Sequence, residues 1–69
     1  MSKRSVTIAG HRTSISLEDR FWEALAAIAN RRGISLAALI GEIDAQRGEN
    51  NLSAALRLHA LDWFRDPLA

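Results

Sequence analysis

The chain has 69 residues, 48% of them hydrophobic and 25% charged, with a formal net charge of +1 and no cysteine. That length holds one domain, and the missing thiols exclude disulfides and thiolate metal sites. A monomer this small buries only about 60% of its unfolded surface, which leaves oligomerisation as the remaining aid to stability.

No apolar run reaches the roughly 20 residues of a membrane span. The stretch Ser5-Val6-Thr7-Ile8-Ala9 behind the basic start is too short for a signal sequence core, so a soluble cytoplasmic protein is expected. The charge is unevenly placed. Residues 1–17 carry Lys3, Arg4 and Arg12 with no acid, whereas residues 18–69 carry six bases against eight acids. A basic segment leading into a strand is either a solvated arm or the footprint of a polyanion-binding surface.

In chain order, the first alternation is Val6-Thr7-Ile8. It is separated by Ala9-Gly10-His11 from a second, and that separator lacks the Asn-Gly or Asp-Gly chemistry of a tight hairpin. The first alternation could be an intrachain partner strand, but with so weak a turn residues 1–11 are read as a basic arm or a strand extension. The segment Arg12-Thr13-Ser14-Ile15-Ser16-Leu17 has period two: Thr13, Ile15 and Leu17 share one face, and Arg12, Ser14 and Ser16 share a wholly polar one. Helix one is predicted from Leu17 or Glu18 to Arg32, with Phe21, Leu25, Ile28 and Ala29 as its stripe and Trp22 widening it. Gly33 followed by Ile34 is the pattern of a Schellman stop.

Ser35 reads as the cap of helix two, whose apolar positions are Leu36, Leu39, Ile40 and Ile43, with Gly48 closing it. After Glu49-Asn50-Asn51, helix three begins near Leu52 to Ala54, capped by Asn51 or Ser53, and reaches Phe64 or Arg65. It is apolar over most of its circumference (Leu52, Ala55, Leu56, Leu58, Ala60, Leu61, Trp63, Phe64), so it needs cover on several sides. No internal repeat is apparent.

A lone strand with one apolar face leaves its backbone groups unpaired. The same strand from a second copy, antiparallel across a two-fold axis, satisfies them in a self-complementary way. The resulting two-stranded ribbon fits the major groove of B-DNA, where Arg pairs with guanine O6 and N7 and serine hydroxyls suit either edge. Two positions have competing roles. Ser16-Leu17-Glu18-Asp19 also matches a capping box, so Ser16 either reads bases or caps helix one. His59 is expected as a packed histidine with a satisfied ring nitrogen, and His11 as a hinge or edge residue.

The strings Arg12-Thr13-Ser14-Ile15-Ser16-Leu17, Phe21-x-x-x-Leu25-x-x-Ile28-Ala29 and Arg32-Gly33-Ile34-Ser35-Leu36 together resemble the ribbon-helix-helix family of bacterial transcription factors, the MetJ/Arc type. The core of the resemblance covers about Arg12 to Arg47. A subgroup with a third C-terminal helix extends it to about Phe64. The resemblance implies a mainly α homodimer with one short strand per chain pairing antiparallel across the two-fold axis. Residues 1–11 would be the arm, 12–48 the ribbon-helix-helix core and 49–66 the third helix, packed on the dimer.

It further implies base contacts from Arg12, Ser14 and Ser16, and a DNA phosphate held at the start of helix two by Ser35, Leu36 and Ala37. Helix N-termini attract anions in any case. Because Leu36 and Ala37 supply no cation there, Arg31, Arg32, Lys3 and Arg4 are expected to carry more of the phosphate binding. The dimer core is expected from Thr13, Ile15, Leu17, Phe21, Leu25, Ile28, Leu39, Ile40 and Ile43. The expected partners are double-stranded DNA and a second copy of the chain, with further assembly on DNA as an option. No catalytic group, metal site or cofactor is expected. The alternative is a protein-interaction module, such as an antitoxin or adaptor, that engages its partner through helix three.

Overall fold

In a computed structural model of the chain, residues 1–65 are described. Two strands, β1 (Ser2–Ile8) and β2 (His11–Leu17), precede three helices, α1 (Asp19–Arg32), α2 (Leu36–Gln46) and α3 (Leu52–Arg65). The chain is mainly helical, as expected, but it has two strands rather than one. They pair antiparallel with each other in the register Ser2↔Leu17 through Ser5↔Ser14 to Ile8↔His11. The strand expected to wait for a second copy is thus already paired, and the expected arm is its partner.

The turn between the strands explains why the sequence signal for this pairing is weak. Ala9 has φ +50° and Gly10 φ +81°, so both central residues of the two-residue loop are left-handed, as in a type I′ turn. Such a turn matches the right-handed twist of the flanking strands. Alanine at its first position is a poor sequence signal, because an L side chain with positive φ is crowded against the following carbonyl. Pairing along all seven residues of each strand outweighs that local cost.

Opposed residues of a ladder lie on one face, and the apolar face of the hairpin follows. Val6, Ile8, Thr13, Ile15 and Leu17 point inward, with Ile8, Ile15 and Leu17 buried. Against them pack Trp22, Leu25, Ile28 and Ala29 of α1, Leu39, Ile40 and Ile43 of α2, and Leu56 and Ala60 of α3. α2 lies against β1, and α3 lies against β2 and both other helices. On α1 the buried stripe is rotated from the expected one. Trp22 is 1% exposed while Phe21 is only half-buried, because the hairpin covers the side of the helix that carries the indole.

The helix ends follow local chemistry. Glu18, not Ser16, occupies the N-cap of α1, with no side-chain cap bond. At the far end Gly33 is left-handed at φ +71°. Its N–H donates to the Asn30 carbonyl at 3.1 Å, and the Ile34 N–H donates to that of Ala29 at 3.0 Å, the two bonds of a Schellman motif. Ser35 Oγ accepts from the Ala38 N–H at 3.0 Å and Asn51 Oδ1 from the Ala54 N–H at 2.7 Å, so each begins its helix with a satisfied donor. α2 ends at Gln46 and not at Gly48. Residue 66 and Pro67, the expected end of the ordered chain, lie outside the described residues.

One histidine expectation changes. His11 keeps its inward parity and stands exposed beside the turn, at the start of β2. The Nε2 atom of His59 is buried without a hydrogen-bond partner, not satisfied as expected. No single helix among the described residues is long and apolar enough to cross a membrane.

Candidate nucleic-acid interface

The outer face of the hairpin carries Lys3, Ser5 and Thr7 from β1 and Arg12, Ser14 and Ser16 from β2. All are exposed except Ser16, which is half-buried. The ladder sets Lys3 beside Ser16, Ser5 beside Ser14 and Thr7 beside Arg12. Two cations therefore sit at diagonal corners of a field of four hydroxyls, with no acid on the face. The inner face buries Ile8, Ile15 and Leu17 in the core shared with the three helices, so the outer residues are presented by a supported element.

Arg12, Ser14 and Ser16 share one face as their alternation predicted. The side chain of Ser16 does not cap α1, and its backbone carbonyl accepts from the hydroxyl of Ser53 on α3 at 3.4 Å. Lys3, Ser5 and Thr7 complete the same face, and they were not recognised from sequence as its second row. The signal was there in the alternation of residues 3–8, hidden by the unfavourable-looking turn.

The four basic residues expected at phosphates have different surroundings. Arg31 is exposed near the end of α1. Arg32 forms a two-pronged ion pair with Glu42 on α2, at 2.9 and 3.2 Å. Lys3 stands on the outer ribbon face. Arg4 has inward parity, and its guanidinium lies over the Trp22 ring, 4.9 Å from the centroid. Such a cation is held by the ring's quadrupole. The structure therefore leaves Arg31 and Lys3 outward-facing, and engages Arg4 and Arg32 within the chain.

At the start of α2, Ser35 and Ala37 are exposed and Leu36 is half-buried. Ser35 satisfies the Ala38 N–H, while the N–H groups of Leu36 and Ala37 lie in the first turn, where a helix provides no internal acceptor. Of the residues expected in a dimer core, Ile15, Leu17, Leu25, Ile28, Leu39, Ile40 and Ile43 are buried within the single chain, and Thr13 and Phe21 are half-buried. Among the described residues, large apolar side chains left exposed are Met1 and, on α3, Leu58, Leu61 and Phe64 at 54%, 48% and 58%.

One ion pair ties this hairpin and helix arrangement together at the α1 start. Glu18 accepts from Arg57 Nε at 2.8 Å and from its Nη2 at 3.4 Å. The Arg57 hydrogen bond, aided by the residue's own backbone N–H, lowers the Glu18 carboxyl from its ordinary value. Among the described residues, no group of three or more His, Asp or Glu side chains is placed to hold a metal ion.

The sequence model of the family described as Ribbon-helix-helix domain matches residues 1–64. That span takes in β1, the turn, β2, α1 and α2, and α3 as far as Phe64. No curated protein and no solved structure matches the chain.

Proposed function

This chain belongs to the ribbon-helix-helix family, and we propose that it is a sequence-specific DNA-binding transcription regulator that acts as a repressor. The observation that carries this reading is the outer hairpin face, with Lys3 and Arg12 among hydroxyls and no acid. A two-stranded ribbon is narrow enough to enter the major groove, about 12 Å wide, whose base edges carry a full donor and acceptor code. Arg12 reads guanine, and Ser14 and Ser16 read adjacent bases. Arg31 and the first turn of α2 (Ser35, Leu36, Ala37) hold backbone phosphates, which set register without carrying sequence. In this reading the protein acts in the cytoplasm.

The regulator works as a homodimer in this reading. Strand pairing no longer requires a second copy, so support for self-association comes from the exposed Leu58, Leu61 and Phe64 of α3. In a dimer each chain brings its own ribbon, and a two-fold axis then calls for an approximately palindromic operator. The same α3 surface favours a second reading, an antitoxin or adaptor that docks a protein partner there.

The test is binding to labelled genomic fragments by gel shift across a salt series, beside light scattering for oligomeric state. Wild type is expected to bind selected fragments, with affinity falling steeply as salt rises. Arg12→Ala is expected to lose selectivity. Equal affinity and selectivity in Arg12→Ala would remove the ribbon-reader role. A protein that binds no DNA at any salt would overturn the reading in favour of the partner-docking one.

A further inference from the structure

Two polar contacts reach from α3 to the joint between β2 and α1. The Ser53 hydroxyl donates to the Ser16 carbonyl at 3.4 Å. Arg57 donates through Nε and Nη2 to the two carboxylate oxygens of Glu18, at 2.8 and 3.4 Å. Ser53 and Arg57 are four residues apart, so they stand one above the other on one face of the helix. Their partners flank Leu17, which is fully buried. The Arg57 guanidinium also lies 6.0 Å from the centroid of the Phe21 ring, in the first turn of α1. The residues where β2 becomes α1 are thus held at a carbonyl, an apolar side chain and a carboxylate.

Neither contact is needed to attach α3, because Leu56 and Ala60 already anchor it in the common core. The Arg57 and Glu18 side chains stay 33% and 47% exposed, and water screens a pair so placed, leaving it little effect on stability. A fork of two hydrogen bonds nevertheless fixes orientation, since a planar guanidinium meets a carboxylate in one geometry. Glu18 is the N-cap residue of α1, yet its side chain makes no cap bond. Its carboxylate is directed to α3 instead of back onto the first turn of its own helix.

What the joint controls is the angle between β2 and α1. β2 carries Arg12, Ser14 and Ser16, and α1 leads to the start of α2, the proposed phosphate site at Ser35, Leu36 and Ala37. Phosphate contacts set the register in which base readers meet the groove, so a change of angle at the joint displaces one set against the other. We propose that Ser53 and Arg57 are positioning residues for sequence recognition: by holding Ser16 and Glu18 they fix the reading strand relative to the phosphate-binding frame. The proposal rests on the DNA-binding reading above. It goes beyond that reading by giving α3 a part in specificity without contact to DNA.

The experiment compares wild type with Glu18→Gln, Arg57→Gln, the double variant, Arg57→Lys and Ser53→Ala. Each is assayed by gel shift on a selected genomic fragment and on random-sequence DNA, at a temperature where circular dichroism shows it folded. The readout is the ratio of the two affinities, which a loss of folded protein does not change. Glu18→Gln removes an acid and Arg57→Gln removes a base, so direct electrostatic effects on DNA affinity have opposite signs. Positioning requires the same sign. Both are expected to lower the ratio by about tenfold, and the double variant no further than either alone, the signature of one shared interaction. Arg57→Lys keeps the charge, loses the fork and is expected to lower the ratio too. Ser53→Ala, which removes one long hydrogen bond, is expected to lower it less.

If Arg57→Gln weakens binding to all sequences and shallows the salt dependence while Glu18→Gln strengthens binding, Arg57 touches phosphate and the inference falls. An unchanged ratio in every variant also removes it, and the DNA-binding reading survives both results. If wild type itself prefers no fragment over random DNA, the two fall together.

Discussion

The indole N–H of Trp22 donates to the backbone carbonyl of Ser2 at 2.9 Å, fastening the first residue of β1 to the most deeply buried aromatic of α1. The same ring carries the Arg4 guanidinium on its face, and the Ser2 hydroxyl bonds the Asp19 carboxylate. The open end of a hairpin frays unless it is tied down, and these three contacts do so at the end farthest from the turn. Trp22→Phe keeps most of the buried ring and loses the donor. It is expected to cost about 1 kcal/mol and to raise amide hydrogen exchange over Ser2 to Arg4 more than over the helices. Equal exchange in both proteins would show that the indole bond does not hold the strand.

The turn is the local weak point of the hairpin. Ala9 sits at φ +50°, where asparagine bears less strain than alanine. Ala9→Asn, which creates an Asn-Gly turn, is expected to stabilise the chain by about 1 kcal/mol. In a domain of this size that raises Tm by about 4–8 °C. Gly10→Ala is expected to move it the other way by a similar amount. An added Cβ there meets nothing within 4 Å, so the loss reflects backbone strain and not collision. Thermal denaturation of the two variants checks both signs.

Two helix starts depend on one side chain each. Ser35→Ala and Asn51→Ala remove the acceptors of the Ala38 and Ala54 N–H groups, and each is expected to cost about 1 kcal/mol in urea denaturation. Ser35→Gly is expected to recover most of that loss, since glycine is nearly as good a cap. No recovery would point to a role for the hydroxyl beyond capping.

Acid sensitivity is predicted from Glu18. Its carboxyl is held below the ordinary glutamate value by the bond to Arg57. The unfolded chain therefore binds this proton at higher pH than the folded one. The stability it contributes is fully present above the ordinary value of about 4.3 and is lost as pH falls through the lower folded value. Glu18→Gln is expected to be less stable than wild type near neutrality, with the gap closing in that acid window. Melting curves from pH 6 downward test this, and a gap that stays constant would exclude the ion pair as its source.

The helical part of the fold was legible because each signal was local. Gly33 and Ile34 spell the Schellman stop within two residues. Ser35 caps three residues ahead, and the apolar spacing of α2 needs no distant partner to be recognised. Errors occurred where distant segments compete. Phe21 and Trp22 are adjacent, and spacing alone favoured Phe21. The hairpin laid against α1 buries Trp22 instead. Spacing also left Ser16 open between reader and cap, and it is the distant Ser2 that engages Asp19 while Glu18 takes the cap position. Likewise, half of the candidate interface was legible, Arg12, Ser14 and Ser16, because a single strand's alternation separates its faces.

By itself the sequence determined the three helices with the stops and caps around Gly33, Ser35 and Asn51, and the division of β2 into an apolar and a polar face. These follow from periodicity and backbone chemistry within a few residues. Only the tertiary structure decided what β2 pairs with. Seven paired residues on each side, with Ile8 and Val6 delivered to the core and Ser2 bonded to Trp22, outweigh the left-handed strain at Ala9, and that sum is not contained in the turn. The same pairing placed Lys3, Ser5 and Thr7 beside Arg12, Ser14 and Ser16 on one polar face, a neighbourhood that no single strand's alternation contains.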